Sequence, residues 1–306
     1  MPLPSRLLHE FIASLAGKAE TTMDTYHREL RHFLTWLAQR PGNRGPFSAA
    51  RQLTRTALET YLAYLQEQGH SLSHCARVKS VVGSFARWLI EEKALLRRNP
   101  SRGVYLPPQP LLAPREFSPD QRYVLRNLVE RQHNARGEAL FALGYWAGCR
   151  VSDVAWLRIE HVHIGPKVGW AHVGYKGGKT RDIDLLNAVR QPLYAYLHQG
   201  GRDPDSPYVF TSQRAARFTE AGIHYWFRSL KARANHEEWE LIHDVTFHDL
   251  RHDFAHRARA AGWTLEEVAY YLGHVTNKGT PAVQTTARYT QVSRERVREK
   301  LRLISG

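Results

Sequence analysis

The chain reads as a mainly α-helical protein with one small antiparallel β-sheet, divided into two domains. Three observations carry this. Apolar residues recur at three- and four-residue spacings through most of the sequence, a single stretch near 159–185 alternates as strands do, and a proline-rich break follows residue 99. In the first domain, "TTMDTYHRELRHFLTWLAQR" places Tyr26, Leu30, Phe33, Leu34 and Leu37 on one helical face. Thr21 and Thr22 are its candidate caps, and Pro41-Gly42 its stop. A second helix is expected over about 54–68, ending at Gly69. A third spans roughly 73–93, with Val78, Val81, Val82, Phe85, Trp88 and Leu89 facing a core. "NPSRGVYLPPQPLLAPREF" then holds five prolines and no period. The expected division is therefore a helical domain over 1–99, a linker over 100–116 and a second domain over 117–306.

The second domain opens with helices in "SPDQRYVLRNLVERQ" and "ARGEALFALGYWAG". The segment "IEHVHIGPKVGWAHVGYKGGKTRDIDL" alternates and contains Gly-Pro and Lys-Gly-Gly-Lys turns, which predicts three strands joined by two tight hairpin connections. Further helices are expected near 187–199, 219–234, 247–261, 264–272 and 293–303.

Composition narrows the function classes. With 306 residues, 42% hydrophobic and 24% charged, the chain has material for two packed cores and does not read as disordered. Forty-three Lys and Arg against 29 Asp and Glu give +14, and the excess is shared by both halves. A basic surface on each domain suits a protein that grips a polyanion from two sides, although many soluble proteins are basic without binding nucleic acid. Cys75 and Cys149 are too few for a disulfide scaffold and fit a reducing cytoplasm. The N-terminus lacks the apolar core of a signal peptide, and the longest apolar run, "ALFALGYWAGC", is too short to cross a bilayer. The expected location is the cytoplasm, near the nucleoid, with no membrane contact.

Several segments of the second half form one ordered pattern. "AGCRVSDV" contains Arg150 and Asp153, "VGYKGGKTRDIDL" contains Lys176, and "FHDLRHDFAHRARAAG" contains His248 and Arg251. "VAYYLGH" ends in His274, and "TTARYTQV" contains Tyr289. This order of Arg, Lys, His-x-x-Arg, His and Tyr resembles the tyrosine recombinases, the phage-type integrase family. The N-terminal segments "TTMDTYHRELRHFLTWL" and "RVKSVVGSFARWLIEEKALLRRNP" are similar to the helical core-binding domain of Xer proteins and phage-type integrases. The resemblance covers nearly the whole chain and implies a SAM-like DNA-binding domain followed by a mixed α/β catalytic domain, closing on DNA as a two-domain clamp.

The chemistry that the resemblance implies fits these residue types. A phosphodiester is anionic, so its transition state needs cations aimed at the non-bridging oxygens. Arginine supplies a permanent charge and a planar fork of donors, which nominates Arg150 and Arg251. His248 and His274 would add hydrogen bonds, with His248 the better acceptor of the tyrosine proton. A phenol titrates near pH 10, so Tyr289 becomes a nucleophile only as its proton leaves. Lys176 would protonate the departing 5′-oxygen, although Lys179 or Arg181 could be the phosphate contact instead. Asp153 would orient Arg150, or serve as a helix cap. The product would be a 3′-phosphotyrosine, and because one phosphodiester replaces another, no cofactor, ATP or metal is required. His274 and Tyr289 lie fifteen positions apart, a longer spacing than in many relatives, and Gly279 and Pro281 suggest an inserted loop. Attack within the same subunit is the favoured arrangement.

The partners implied are double-stranded DNA carrying a specific recombination site and three further copies of the chain. Four subunits would hold two duplexes, with the C-terminal helix "SRERVREKLRLI" docked on a neighbour; a solvated helix packed on its own domain accounts for the same residues. Thr22, Thr25, His27, Arg77 and Lys79 are candidate DNA contacts in the first domain, and Lys179, Arg181, Arg214 and Arg217 in the second. Three rivals remain open. A metal hydrolase would use His248 and His252, four apart on a helix, but Asp249 stands where the zinc-protease motif has glutamate. A DNA-binding protein without catalysis and a type IB topoisomerase are the others.

Overall fold

The computed structural model describes residues 5–43, 47–108, 114–174, 180–199, 202–213, 215–274 and the single positions Thr280, Ala282 and Thr286. Two compact units emerge, Met1–Pro110 and Leu111–Gly306.

Unit 1 is helical throughout its regular structure: α1 (Ser5–Ser14), α2 (Glu20–Ala38), the short α3 (Ala49–Gln52), α4 (Arg55–Glu67) and α5 (Leu72–Glu91). Its core draws on Leu8 and Phe11 from α1, Leu30, Phe33 and Leu34 from α2, Leu58 and Leu62 from α4, and Val78, Val82 and Phe85 from α5. Thr54 and Ser71 cap α4 and α5 by accepting the backbone N–H groups of Ala57 and His74. Helix α2 departs from the expected start. Ala19 occupies its N-cap position, so Thr21 and Thr22 lie inside the first turn and cap nothing. The Thr25 hydroxyl instead donates back to the Thr21 carbonyl, a bond that threonine readily makes inside a helix.

Residues following Pro100 do not hang free. Val104 is buried in the first core, Lys79 Nζ donates to its carbonyl at 2.5 Å, and Asn99 Nδ2 donates to Gly83 O.

Unit 2 contains α6 (Pro119–Arg131), α7 (Ala135–Tyr145), the single-turn α8 (Val151–Ala155), strands β1 (Val162–Ile164), β2 (Gly169–Val173) and β3 (Arg181–Asp184), then α9 (Asn187–Gln199), α10 (Glu220–Lys231), α11 (His236–Ile242), α12 (Phe247–Ala260) and α13 (Leu265–Leu272). The strands pair antiparallel in the order β1-β2-β3, with Val162 opposite Ala171 and Val173 opposite Arg181. Ala171, Val173 and Ile183 point into the core while their neighbours along each strand do not, the two-residue period of a one-sided sheet.

Helix α7 is buried on nearly every side, which its run of apolar residues requires. Helix α12 packs on it closely enough that a Cβ at Gly144 would lie 2.9 Å from Phe247 and 3.0 Å from Leu250. Two polar clusters fix the position of α12. The fully buried Asp253 accepts the Phe117 N–H at 3.0 Å, a forked pair from Arg122 at 2.8 and 3.0 Å, and Arg257 Nε at 2.8 Å. The buried Lys231 ammonium donates to the carbonyls of Ile242, His243 and Val245, the turn immediately before α12. No helix among the described residues is long and apolar enough to cross a membrane.

Candidate active site

Arg150, Asp153, His248, Arg251 and His274 come from three segments of unit 2, and its packing brings them to one place. Arg150 precedes α8, His248 and Arg251 lie on the first turns of α12, and His274 follows α13. Residues three apart share a helical face, so the His-x-x-Arg spacing points both side chains the same way.

Arg251 is only 1% exposed. Its Nη1 donates to Gly148 O at 2.7 Å, and its Nη2 donates to Leu272 O at 2.6 Å and meets His274 Nε2 at 3.0 Å. Each of these acceptors is neutral, so they orient the guanidinium without cancelling its charge. Arg150 Nη2 donates to Gly273 O at 3.2 Å, another neutral anchor. The two anchoring glycines are not interchangeable with other residues. Gly148 has φ +59°, and a Cβ there would lie 2.7 Å from Phe254 Cδ1. Gly273 closes α13 in the left-handed conformation, and a Cβ there would meet Arg181 Cδ at 2.9 Å.

Asp153 acts on Arg150 through the backbone. Its Oδ2 accepts the Arg150 N–H at 3.0 Å, fixing the turn that presents the side chain, and also takes Arg181 Nη2 at 3.0 Å. Arg181, a candidate phosphate contact by sequence, has a carboxylate partner inside the fold. The Arg181 and Asp153 side chains are 8% and 4% exposed, and Arg181 Nε donates to Tyr271 O at 2.6 Å. A buried carboxylate needs a countercharge, and Arg181 supplies it.

Both imidazoles are held neutral. Burial lowers the His248 pKa below the ordinary histidine value, and the charges of Arg251 and Arg150 lower it further. The same causes, burial first and then Arg251, Arg150 and Arg181, push His274 down to about 3. Because two arginines act on both rings, the four side chains share one electrostatic neighbourhood. A neutral His248 can accept a proton at physiological pH. His274 Nε2 lies 3.0 Å from Arg251 Nη2, and its Nδ1 lies 3.1 Å from Thr286 Oγ1.

Other nominated contacts have partners within their own unit. Lys79, half-buried, donates to Val104 O. Arg217 stacks on Trp156, 3.5 Å from the ring centre. Arg77 Nη2 lies 2.8 Å from His74 Nδ1, and its side chain remains about half exposed. The His27 ring lies 6.3 Å from that of His9, and Thr22 is half-buried in the first turn of α2. His248 and His252 stack edge-on at 4.5 Å, and no group of three His, Cys, Asp or Glu among the described residues could hold a metal ion. Lys176, Lys179, Arg214 and Tyr289 lie outside the described residues, as do Gly279, Pro281 and the expected helix over 293–303.

The structure also reveals functional candidates that the sequence pattern does not nominate. The carbonyls of Gly148, Leu272 and Gly273 carry no side-chain signature. Thr286 does carry a signal, standing three residues ahead of Tyr289 in "TTARYTQV", and its hydroxyl lies 3.1 Å from His274 Nδ1.

Residues 117–296 match the model of the phage integrase family, and residues 8–93 match that of the phage integrase N-terminal SAM-like domain. The chain belongs to the phage integrase family, the tyrosine recombinases. Among its relatives, tyrosine recombinase XerC of Pseudomonas aeruginosa is 30% identical over 274 residues, covering 89% of this chain and 84% of that protein. Tyrosine recombinase XerD of Halalkalibacterium halodurans is 26% identical over 289 residues, covering 92% and 91%. The fold matches that of the Tn1549 transposon integrase, solved in complex with circular intermediate DNA, with a TM-score of 0.73, 17% identity, and coverage of 97% of this chain and 98% of that one. As a tyrosine recombinase, this chain is an enzyme of DNA breaking and rejoining.

Proposed function

We propose that this recombinase cuts each DNA strand by attack of Tyr289 Oη on a backbone phosphorus. The P–O5′ bond breaks, a 3′-phosphotyrosine forms, and the 5′-hydroxyl of an exchanged strand later reverses the step. The phenol proton passes to His248, while Lys176 supplies a proton to the leaving 5′-oxygen. Arg150 and Arg251 balance charge on the non-bridging oxygens. Asp153 and Arg181 hold the turn that presents Arg150, and His274 orients Arg251. The observation that carries this reading is the convergence of two carbonyl-anchored guanidinium groups, one of them meeting the His274 ring, with His248 on the same helix as Arg251.

Attack within the same subunit is supported by chain length. Thr286 meets His274 of its own chain, and Tyr289 is three residues further on. At about 3.3–3.6 Å per residue, its Cα lies within roughly 11 Å of that anchor in any conformation. The substrate in this reading is double-stranded DNA with a specific recombination site, which Arg77, Thr22, Thr25 and His27 of unit 1 and Lys179, Arg214 and Arg217 of unit 2 help to hold. Four copies act on two duplexes, exchanging the segment over 293–303, in the cytoplasm near the nucleoid. DNA-bound relatives support the partner class: the solved structures include a lambda integrase dimer bound to a COC′ core site.

The test is a nicked suicide duplex carrying a candidate site. Wild-type protein should form a gel-retarded covalent species, and Tyr289→Phe should form none. Arg150→Ala and Arg251→Ala should each slow its appearance at least about 100-fold. Cleavage that persists in Tyr289→Phe would refute the assignment of the nucleophile.

A further inference from the structure

Lys231 is the last residue of α10 and is only 5% exposed. Its ammonium has three N–H donors, and three carbonyls take them: Ile242 O at 3.2 Å, His243 O at 2.7 Å and Val245 O at 2.6 Å. Carbonyls that end a helix lack intrahelical partners, and these three close α11 and lead into α12. Converging carbonyl oxygens are how proteins hold a bare monovalent cation. A buried charge is tolerated only when it is paired and hydrogen-bonded, and here every N–H of the ammonium has an acceptor.

This oxygen cage lies directly before the helix that carries His248. Thr246 follows Val245 and caps α12 in a reciprocal pair with Asp249, and His248 stands on the first turn. Further along α12, Leu250 packs on Gly144 and Asp253 binds Phe117 N–H and Arg122, so the body of the helix has its own anchors. Its first turn depends on the cage. We propose that Lys231 is a positioning residue, a tethered cation that closes the α11–α12 turn and so sets where His248 meets the phenol proton. The ammonium acts through backbone carbonyls, so another N–H-donating cation of suitable size can replace it. Lys231 also borders a cavity of about 340 Å³, lined in part by Phe227, Trp239 and His243, and truncation to alanine would open that space toward the carbonyls.

This inference rests on the reading of His248 as the acceptor of the Tyr289 proton, and the experiment separates the two. Full-length wild type, Lys231→Met and Lys231→Ala are compared on the suicide duplex for DNA affinity and for the rate of adduct formation at saturating DNA. ¹⁵N spectra of the DNA-free proteins, with labelled lysine and histidine, accompany them. A misplaced catalytic group costs up to about 100-fold in rate, so both variants should slow by at least about tenfold while DNA affinity stays unchanged. Ethylammonium should restore much of the lost rate to Lys231→Ala and return its His248 resonances toward their wild-type positions. Tetramethylammonium at equal ionic strength has no N–H donor and should do neither. In wild type one lysine ammonium should be protected from solvent exchange, a signal that tests the cage even if both variants fail to fold. The proposal is overturned by the lack of a protected ammonium, or by a folded Lys231→Met that cleaves at the wild-type rate. Equal effects of the two amines, or a loss of DNA affinity that accounts for the whole rate defect, would also overturn it. A wild type that forms no adduct would count against the recombination chemistry, and the His248 resonances would still decide whether the ammonium places that ring.

Discussion

At Gly148, as at Gly273, a left-handed backbone with no room for a Cβ coincides with a carbonyl that anchors an arginine. The Gly148 φ of +59° lies in the left-handed region, and the space where a Cβ would stand is filled by Phe254. The Gly148 carbonyl also takes Arg251 Nη1. Gly148→Ala should destabilise the protein by about 2–3 kcal/mol in urea unfolding and slow adduct formation as the guanidinium loses an anchor. A variant with unchanged midpoint and rate would show that the backbone there is not under constraint. His274 makes a second prediction at this scale. With its pKa near 3 in the folded protein and about 6.5 when unfolded, the unfolded state binds more protons between those values. Stability is therefore undiminished above about pH 6.5 and falls progressively as pH drops toward 3. The lowered His248 pKa acts in the same direction. Urea midpoints at pH 7 and pH 5 should differ by less in His274→Gln than in wild type.

At the scale of elements, α8, β3 and the end of α13 are joined through the buried Asp153–Arg181 pair. Asp153 binds the Arg150 backbone, and Arg181 binds Tyr271 O and packs under Gly273. Arg181→Met would leave a buried carboxylate without its countercharge, a loss of about 3–5 kcal/mol. Combining it with Asp153→Asn should recover a measurable part of that loss in thermal unfolding, and a purely additive double variant would contradict the coupling. These elements also show what sequence can and cannot convey. The long helices α2, α4, α5, α9 and α12 are legible because their apolar period extends over several turns, and the sheet because Ala171, Val173 and Ile183 alternate with polar neighbours. Helix α1 shows the same period through Leu8 and Phe11, but ten residues give a weak signal. Arg181 reads as a surface cation because it follows a Lys-Gly-Gly-Lys turn. Its burial depends on Asp153, 28 residues earlier in the chain, and local pattern holds no information about such a pairing. Arg150, His248, Arg251 and His274 are recognisable by their joint order, whereas the anchoring carbonyls are not, because every residue has one.

Across the whole molecule, each unit has its own apolar core, and the excess of basic residues is shared between the two halves. With a net charge of +14, DNA affinity should fall linearly with the logarithm of salt concentration, the signature of released counterions. Arg77→Ala should weaken binding to all sequences alike and reduce that slope by about one. A slope unchanged in Arg77→Ala would remove this residue from the interface. Strand cleavage should require both the affinity of the two units and the geometry of unit 2, so high salt should reduce adduct yield chiefly by dissociating the complex.

The most direct measurement is to digest the covalent species formed on suicide DNA and locate the nucleotide-bearing peptide by mass spectrometry. The account predicts a single adduct, a 3′-phosphoryl nucleotide on Tyr289, absent when Arg251 is replaced by alanine and the reaction is stopped early. An adduct on another side chain, or one that forms equally fast without Arg251, would contradict it.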